Sequence, residues 1–234
     1  MIRAGAVAVL AAVVVAGCSS TVQPTPSAAS SAPAAPQSPG APAGESPAGA
    51  SAAAGPLEIR GGELAPGTYT HSGFEPRITF DVGEGWQGVQ NTSGFFDVQQ
   101  DPDTPDVIAV QFGNVDGVVG EDGSTVEIGS AAEAVPIIRE NPGLTVLGES
   151  PSLVSGLEGF TVEVENAADG DVPVLRVPAG PLAISPERRL WVSFFDTPDG
   201  VLAVLVGGSV ARWEDSLAIA EPVLESVRIG DEAP

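Results

Sequence analysis

Few residues in this 234-residue chain can do chemistry: one Cys (Cys18), one His (His71), 31 Asp and Glu, and nine Arg with no Lys. A lone Cys forms no internal disulfide and no Cys-based zinc site. Without Lys there is no Schiff base and no P-loop lysine. A Ser-His-Asp triad or a His-based metal site would need His71. It sits in Thr70-His71-Ser72-Gly73, between a turn and Phe74, and reads as an exposed loop residue. No G-x-S-x-G elbow occurs. Paired carboxylates could serve glycosidase-type hydrolysis, but most acids fall in turns or on outward strand faces, as Glu163 and Glu165 do, and read as solvated. No catalytic residue is assigned.

Asp97, Asp101, Asp103 and Asp106 offer the oxygen ligands that Ca²⁺ takes. Pro102 and Pro105 break their spacing, which matches no EF-hand loop, and Asn166–Asp171 is an equally weak candidate. Neither is assigned as a metal site, and no cofactor is expected. Trp86, Trp191 and Trp213 could line an apolar ligand site, though Trp213 lies on a helical stripe that reads as core. Arg188 and Arg189, adjacent in a chain poor in cations, mark with Trp191 a candidate ligand or partner surface. They could hold an anionic ligand beside the Pro-punctuated loop Val172–Pro186, or simply pair with neighbouring acids. The formal net charge of −22 repels phosphate and argues against a nucleic-acid partner.

The N-terminus reads Met1-Ile2-Arg3, then an apolar run from Ala4 to Ala16, then Gly17-Cys18. One cation, a short apolar stretch and small residues at its end describe a secretory signal peptide, too short to span a ~30 Å hydrocarbon core. Val15-Ala16-Gly17-Cys18 resembles the bacterial lipobox. That resemblance implies cleavage between Gly17 and Cys18, a diacylglyceryl thioether on Cys18, and acylation (palmitate, for example) of the new amino terminus. Two or more acyl chains anchor a protein stably where one does not. The expected location is the outer face of the cytoplasmic membrane, with the membrane as partner through the Cys18 lipid.

Between Ser19 and Pro56 the composition narrows to Ala, Ser, Pro, Gly and a few Thr and Gln, with eight prolines, no aromatic residue and Glu45 as the one charge. Such a segment cannot bury enough apolar surface to offset its ordering entropy, and is expected to be a disordered tether. Three parts follow: a signal peptide over 1–17, the lipidated Cys and tether over 18–56, and one globular domain over 57–234 that holds nearly all the charge.

Within that domain, Leu64–Tyr69 reads as a turn entering an extended segment. Ile78, Phe80 and Val82 alternate with polar residues as a half-buried strand, and strands are expected from Trp86, over Phe95–Gln99 and over Val107–Phe112. Ser130 and Glu133 match a capping box before Ala131, Ala134, Val135 and Ile138 on one helical face, with Pro136 expected to kink that helix or move its start. Leu144–Leu147 and Leu153–Val154 read as two short strands, and Phe160, Val162 and Val164 as one face of another. Leu190–Phe195 and Val201–Val206 are apolar on both faces, the mark of central strands covered from both sides. A last helix over Arg212–Val227 places Trp213, Leu217, Ala220, Leu224 and Val227 on one stripe. The expected class is α+β, an antiparallel sheet with helices on both faces in a three-layer α/β/α sandwich.

Two stretches carry a family resemblance. Ile78–Trp86 resembles the first strand of PsbP-like domains, where an aromatic strand runs into a Gly-Trp turn, and Leu202–Ile229 resembles their ending. Actinobacterial lipoproteins of the LpqN type share that fold. The resemblance implies a three-layer sandwich and an extracytoplasmic accessory or binding role, and it transfers no catalytic residue. The expected function is a non-catalytic lipoprotein that binds an envelope protein or helps assemble envelope components. The alternatives are a carrier or receptor for an apolar or anionic small molecule and, more weakly, a carboxylate-dependent hydrolase.

Overall fold

The computed structural model describes residues 55–230. The signal segment, Cys18 and nearly all of the tether lie outside the described residues. Period-two alternation dominates the domain and yields strands. In chain order these are β1 (Leu57–Glu58), β2 (Gly62–Glu63), β3 (Gly67–Thr70), β4 (Ile78–Val82), β5 (Trp86–Thr92), β6 (Phe95–Gln100), β7 (Ile108–Asn114), β8 (Gly117–Val119) and β9 (Thr125–Val126). Helix α1 (Ala131–Glu140) precedes β10 (Leu144–Val154), β11 (Leu157–Asn166), β12 (Val172–Val177), β13 (Gly180–Ile184), β14 (Arg188–Thr197) and β15 (Gly200–Ser209). Helix α2 (Trp213–Ser226) and β16 (Arg228–Ile229) close the domain.

The central sheet has eight strands in the order β10-β11-β14-β15-β7-β6-β5-β2, all paired antiparallel. Its middle strand β15 buries both faces, as its apolar run requires. Leu202, Val204 and Val206 join the core under α2, whereas Val201, Ala203 and Leu205 join the core under α1. The α2 layer also holds the small sheet β1-β3-β4-β16, and the α1 layer the sheet β13-β12-β8-β9. A helix on each face of an antiparallel sheet is the arrangement expected from the sequence. On the α2 side, Phe80, Phe96 and Phe112 stack with ring centroids 4.5–5.4 Å apart, the offset spacing that aromatic rings favour.

Four expectations need correction. Val172–Pro186 is not a loop: β12 and β13 form an antiparallel hairpin, with Pro173 and Pro181 accommodated inside it. Leu144–Val154 is one long strand at the sheet edge with an irregularity between Val146 and Gly148. Pro151 is tolerated because an outer edge needs no ladder donor. The buried seam of α2 runs through Trp213, Ser216, Ala220 and Val223, with Leu217 and Leu224 only partly buried beside it. The helix sits so close to β15 that a Cβ on Gly208 would lie 2.7 Å from the Ser216 side chain, which explains a small residue at both positions. Finally, Ser130 stands at the N-cap of α1 but its hydroxyl caps no backbone N–H. The Ala131 N–H donates instead to Asp196 Oδ1 at 2.6 Å, and Glu133 reaches back to accept from the Gly129 N–H at 2.9 Å.

Candidate functional site

Strand alternation sends Arg188 and Arg189 to opposite faces of the central sheet. Arg189 lies on the α2 face. It pairs with Glu163 at 3.1 Å and with Glu165, both on β11, and its guanidinium carbon sits 5.4 Å from the centroid of the Trp213 ring. Trp191 shares that face and packs, partly buried, against the α2 core. Arg188 lies on the α1 face, where Nη1 donates to the Pro105 carbonyl at 3.0 Å and Nη2 to the Val107 carbonyl at 2.6 Å. Partial burial pulls its pKa below the ordinary arginine value, opposed by the nearby charge of Asp106. The three residues therefore form no single surface: Trp191 and Arg189 stand together, and Arg188 braces the connection between β6 and β7 on the other side.

That brace walls a cavity of about 380 Å³ on the α1 face, within the size range of small-molecule sites. The β6–β7 connection contributes Thr104 and Pro105, and the end of β13 contributes Ile184 and Ser185. The floor is the central sheet. Ala109 on β7 and Gly207 on β15 face each other in register there, beside Gln99 and Gln111. Gly207 and Gly208 thus serve opposite layers. A Cβ at Gly207 would meet only the Ala109 Cβ, at 3.9 Å, so the lack of a side chain leaves open space.

Gln99 and Gln111 both donate from Nε2 to Oδ2 of Asp97, at 2.7 and 3.1 Å. Asp97 is 5% exposed, and its Oδ1 is buried without a hydrogen-bond partner. Burial raises its carboxyl above the ordinary aspartate range, and the two glutamine hydrogen bonds only partly oppose this. The sequence reading had placed Asp97 with Asp101, Asp103 and Asp106. Alternation separates them: Asp97 is buried on a strand, and Asp101, Asp103 and Asp106 lie in or beside the exposed β6–β7 connection. Among the described residues no three His, Cys, Asp or Glu side chains gather as a metal site. In Asn166–Asp171, Asn166 bridges the Gly170 and Ile184 carbonyls and accepts from the Ala168 N–H, which fastens a turn.

His71 is not an exposed loop residue. It is 4% exposed, stacked 5.5 Å from Phe96 and edge-on 6.2 Å from Phe74, and its Nδ1 accepts from the Gly73 N–H at 2.8 Å. It belongs to the aromatic core under α2, away from the cavity.

The sequence reading missed the Asp97–Gln99–Gln111 cluster. Its signal is present in the alternation: Asp97 and Gln99 oppose Phe96 and Val98 on β6, and Ala109 and Gln111 oppose Ile108 and Val110 on β7. Polar residues on that face look solvated until the layer that covers them is known.

No family model matches the chain, and no curated protein matches it. Among solved structures, it is similar to the cyanobacterial PsbP protein of Synechocystis at 14% identity and a TM-score of 0.42, over 74% of this chain and 98% of that one. It is also similar to LpqN of Mycobacterium tuberculosis, described as involved in cell envelope biogenesis, at 10% identity and a TM-score of 0.38, over 72% of this chain and 87% of that one.

Proposed function

We propose that this chain is a lipoprotein on the outer face of the cytoplasmic membrane. Its acidic α+β domain acts there by binding, as an accessory of envelope proteins or their assembly, and without catalysis. The observation that carries this reading is Val15-Ala16-Gly17-Cys18, which places the one cysteine at the end of a short apolar run. The Pro-rich segment that follows, with Glu45 as its one charge, ends where the first strand begins at Leu57. It is long enough to hold a domain roughly 35 Å from its anchor as a coil, and further when extended. The charge of −22 keeps such a domain off anionic lipid, so attachment rests on the acyl chains.

Substitution of Cys18 tests the anchor. Cys18→Ala is expected to leave the membrane fraction, or to stall as a larger unprocessed chain. A variant that fractionates and migrates like wild type contradicts the reading.

A second reading, in which the domain carries or senses a small molecule, is favoured by the cavity beneath Arg188. Native mass spectrometry of the purified chain separates the two. A retained solute supports the second reading, and loss of nothing but solvent on activation counts against it.

A further inference from the structure

We propose that the cavity beside Arg188 binds a small organic monocarboxylate, which pairs with the Arg188 guanidinium and lays its apolar part on the sheet. The site belongs to the second reading above, a domain that carries or senses a small molecule, and is independent of the Cys18 anchor.

The two adjacent arginines differ in one respect that decides the charge of the ligand. Among the arginines of the described residues, only Arg188 and Arg189 are withdrawn from full exposure. Arg189 is paired with Glu163 and Glu165. Arg188 pairs with no carboxylate among the described residues, and its hydrogen bonds go to the neutral carbonyls of Pro105 and Val107. Asp106, whose charge reaches it, pairs instead with Arg212 at 3.5 Å. Carbonyls orient a guanidinium without neutralising it, and a charge partly withdrawn from water is stable when it is also paired. The Nε–H and the second N–H of each terminal nitrogen have no partner among the described residues. They belong to the planar fork that matches a carboxylate.

The cavity gives that carboxylate room. Arg188 lines it together with both of its carbonyl partners, Pro105 and Val107, so the guanidinium stands in the wall. No Asp or Glu lines the cavity, although the chain has 31 of them. Asp97 is set back from it, and Gln99 and Gln111, which do line it, hold the Asp97 carboxyl from the cavity side. Ala109, Ile184, Leu190 and Gly207 add apolar surface, and the open space over Gly207 admits a short alkyl chain. The net charge of −22 acts against every anion and so favours the smallest charge that one guanidinium can match. A dianion such as phosphate meets twice the repulsion for the same single cation.

The test is a titration of the full-length chain in zwitterionic detergent at about 150 mM salt, where exposed charges are largely screened beyond ~8 Å. The probes are butyrate, n-butanol, n-butylammonium and inorganic phosphate, and the readout is the NMR signals of the Gln99 and Gln111 side-chain amides. Saturable shifts are expected with butyrate, and the other three should bind roughly tenfold more weakly or worse, the loss that a missing charged hydrogen bond produces. Arg188→Gln should weaken butyrate by a similar factor and leave n-butanol unchanged. Gly207→Leu, which fills the open space and leaves the Arg188 brace in place, should abolish the butyrate shifts and decides the matter if Arg188→Gln fails to fold. Phosphate, n-butanol or n-butylammonium binding as tightly as butyrate overturns the proposal and leaves the small-molecule reading standing. A butyrate response unchanged in either folded variant overturns it in the same way. No saturable shift with any probe also overturns it, and if native mass spectrometry then finds no retained solute, the small-molecule reading falls with it.

Discussion

The Arg188 guanidinium, on β14, donates to the Val107 carbonyl, 81 residues earlier in the chain, at 2.6 Å and also reaches the Pro105 carbonyl at 3.0 Å. One side chain thereby ties the acidic β6–β7 connection to the centre of the sheet. Hydrogen bonds from a charged donor are each worth roughly 1.5–3 kcal/mol before losses from partial exposure. Arg188→Ala is expected to cost about 2 kcal/mol in urea unfolding. It should also speed amide exchange of residues 101–107 far more than elsewhere. Arg188→Lys, which lacks the planar fork, should recover only part of both.

His71 gives a sharper contrast between loop and core. An exposed loop histidine can be replaced within about 0.5 kcal/mol. His71 is instead buried between Phe74 and Phe96 and accepts from the Gly73 N–H. His71→Ala leaves a hole among aromatic rings and an unmet backbone donor, and is expected to lower stability by about 2–4 kcal/mol. Equilibrium denaturation checks it, and a loss under 0.5 kcal/mol would return His71 to the surface.

Asp97 predicts a pH dependence of known sign. Its carboxyl is raised above the ordinary value near 3.8 by burial. Over the window from that value up to the raised one, the folded chain holds a proton that the unfolded chain has released, so this group makes stability fall as pH rises. Above the raised value the full cost of the buried charge is present. Below 3.8 both states are protonated and the cost is absent. Asp97→Asn should therefore match wild type at low pH and exceed its stability at neutral pH, with the gap opening as pH rises above the ordinary aspartate value. The comparison is made as a difference between the two proteins, because carboxylates such as Glu149, lowered by the hydrogen bonds of Arg139, slope the other way. A gap that does not widen with pH would contradict the burial of Asp97 as a charge.

Much of the fold was legible because its signals are local. Val201–Val206 is apolar on both faces, which requires layers on both sides, and α1 and α2 supply them. The strands around Ile78, Phe95 and Ile108 follow their alternation. What the sequence hid depends on distant partners. Pro151 and the prolines of Val172–Pro186 look like breaks until the edge position and the hairpin are known. The cap of α1 comes from Asp196, 65 residues away, and no local pattern announces it. The candidate site was the least legible part. Arg188 and Arg189 look like a pair, but their neighbours on other strands decide that one braces a loop and the other meets Glu163, Glu165 and Trp213. Asp97 gave the sign of its face and not its burial.

The proposal of a lipid-anchored binding domain stands most directly on the chemistry of Cys18. The measurement is the intact mass, with fragmentation, of the protein purified from membranes of its own cells. The expected N-terminal residue is Cys18, carrying a diacylglyceryl group on sulfur and an acyl chain on nitrogen or a free amine. A mature chain with an unmodified Cys18 thiol, or one that begins at another residue, contradicts lipid anchoring.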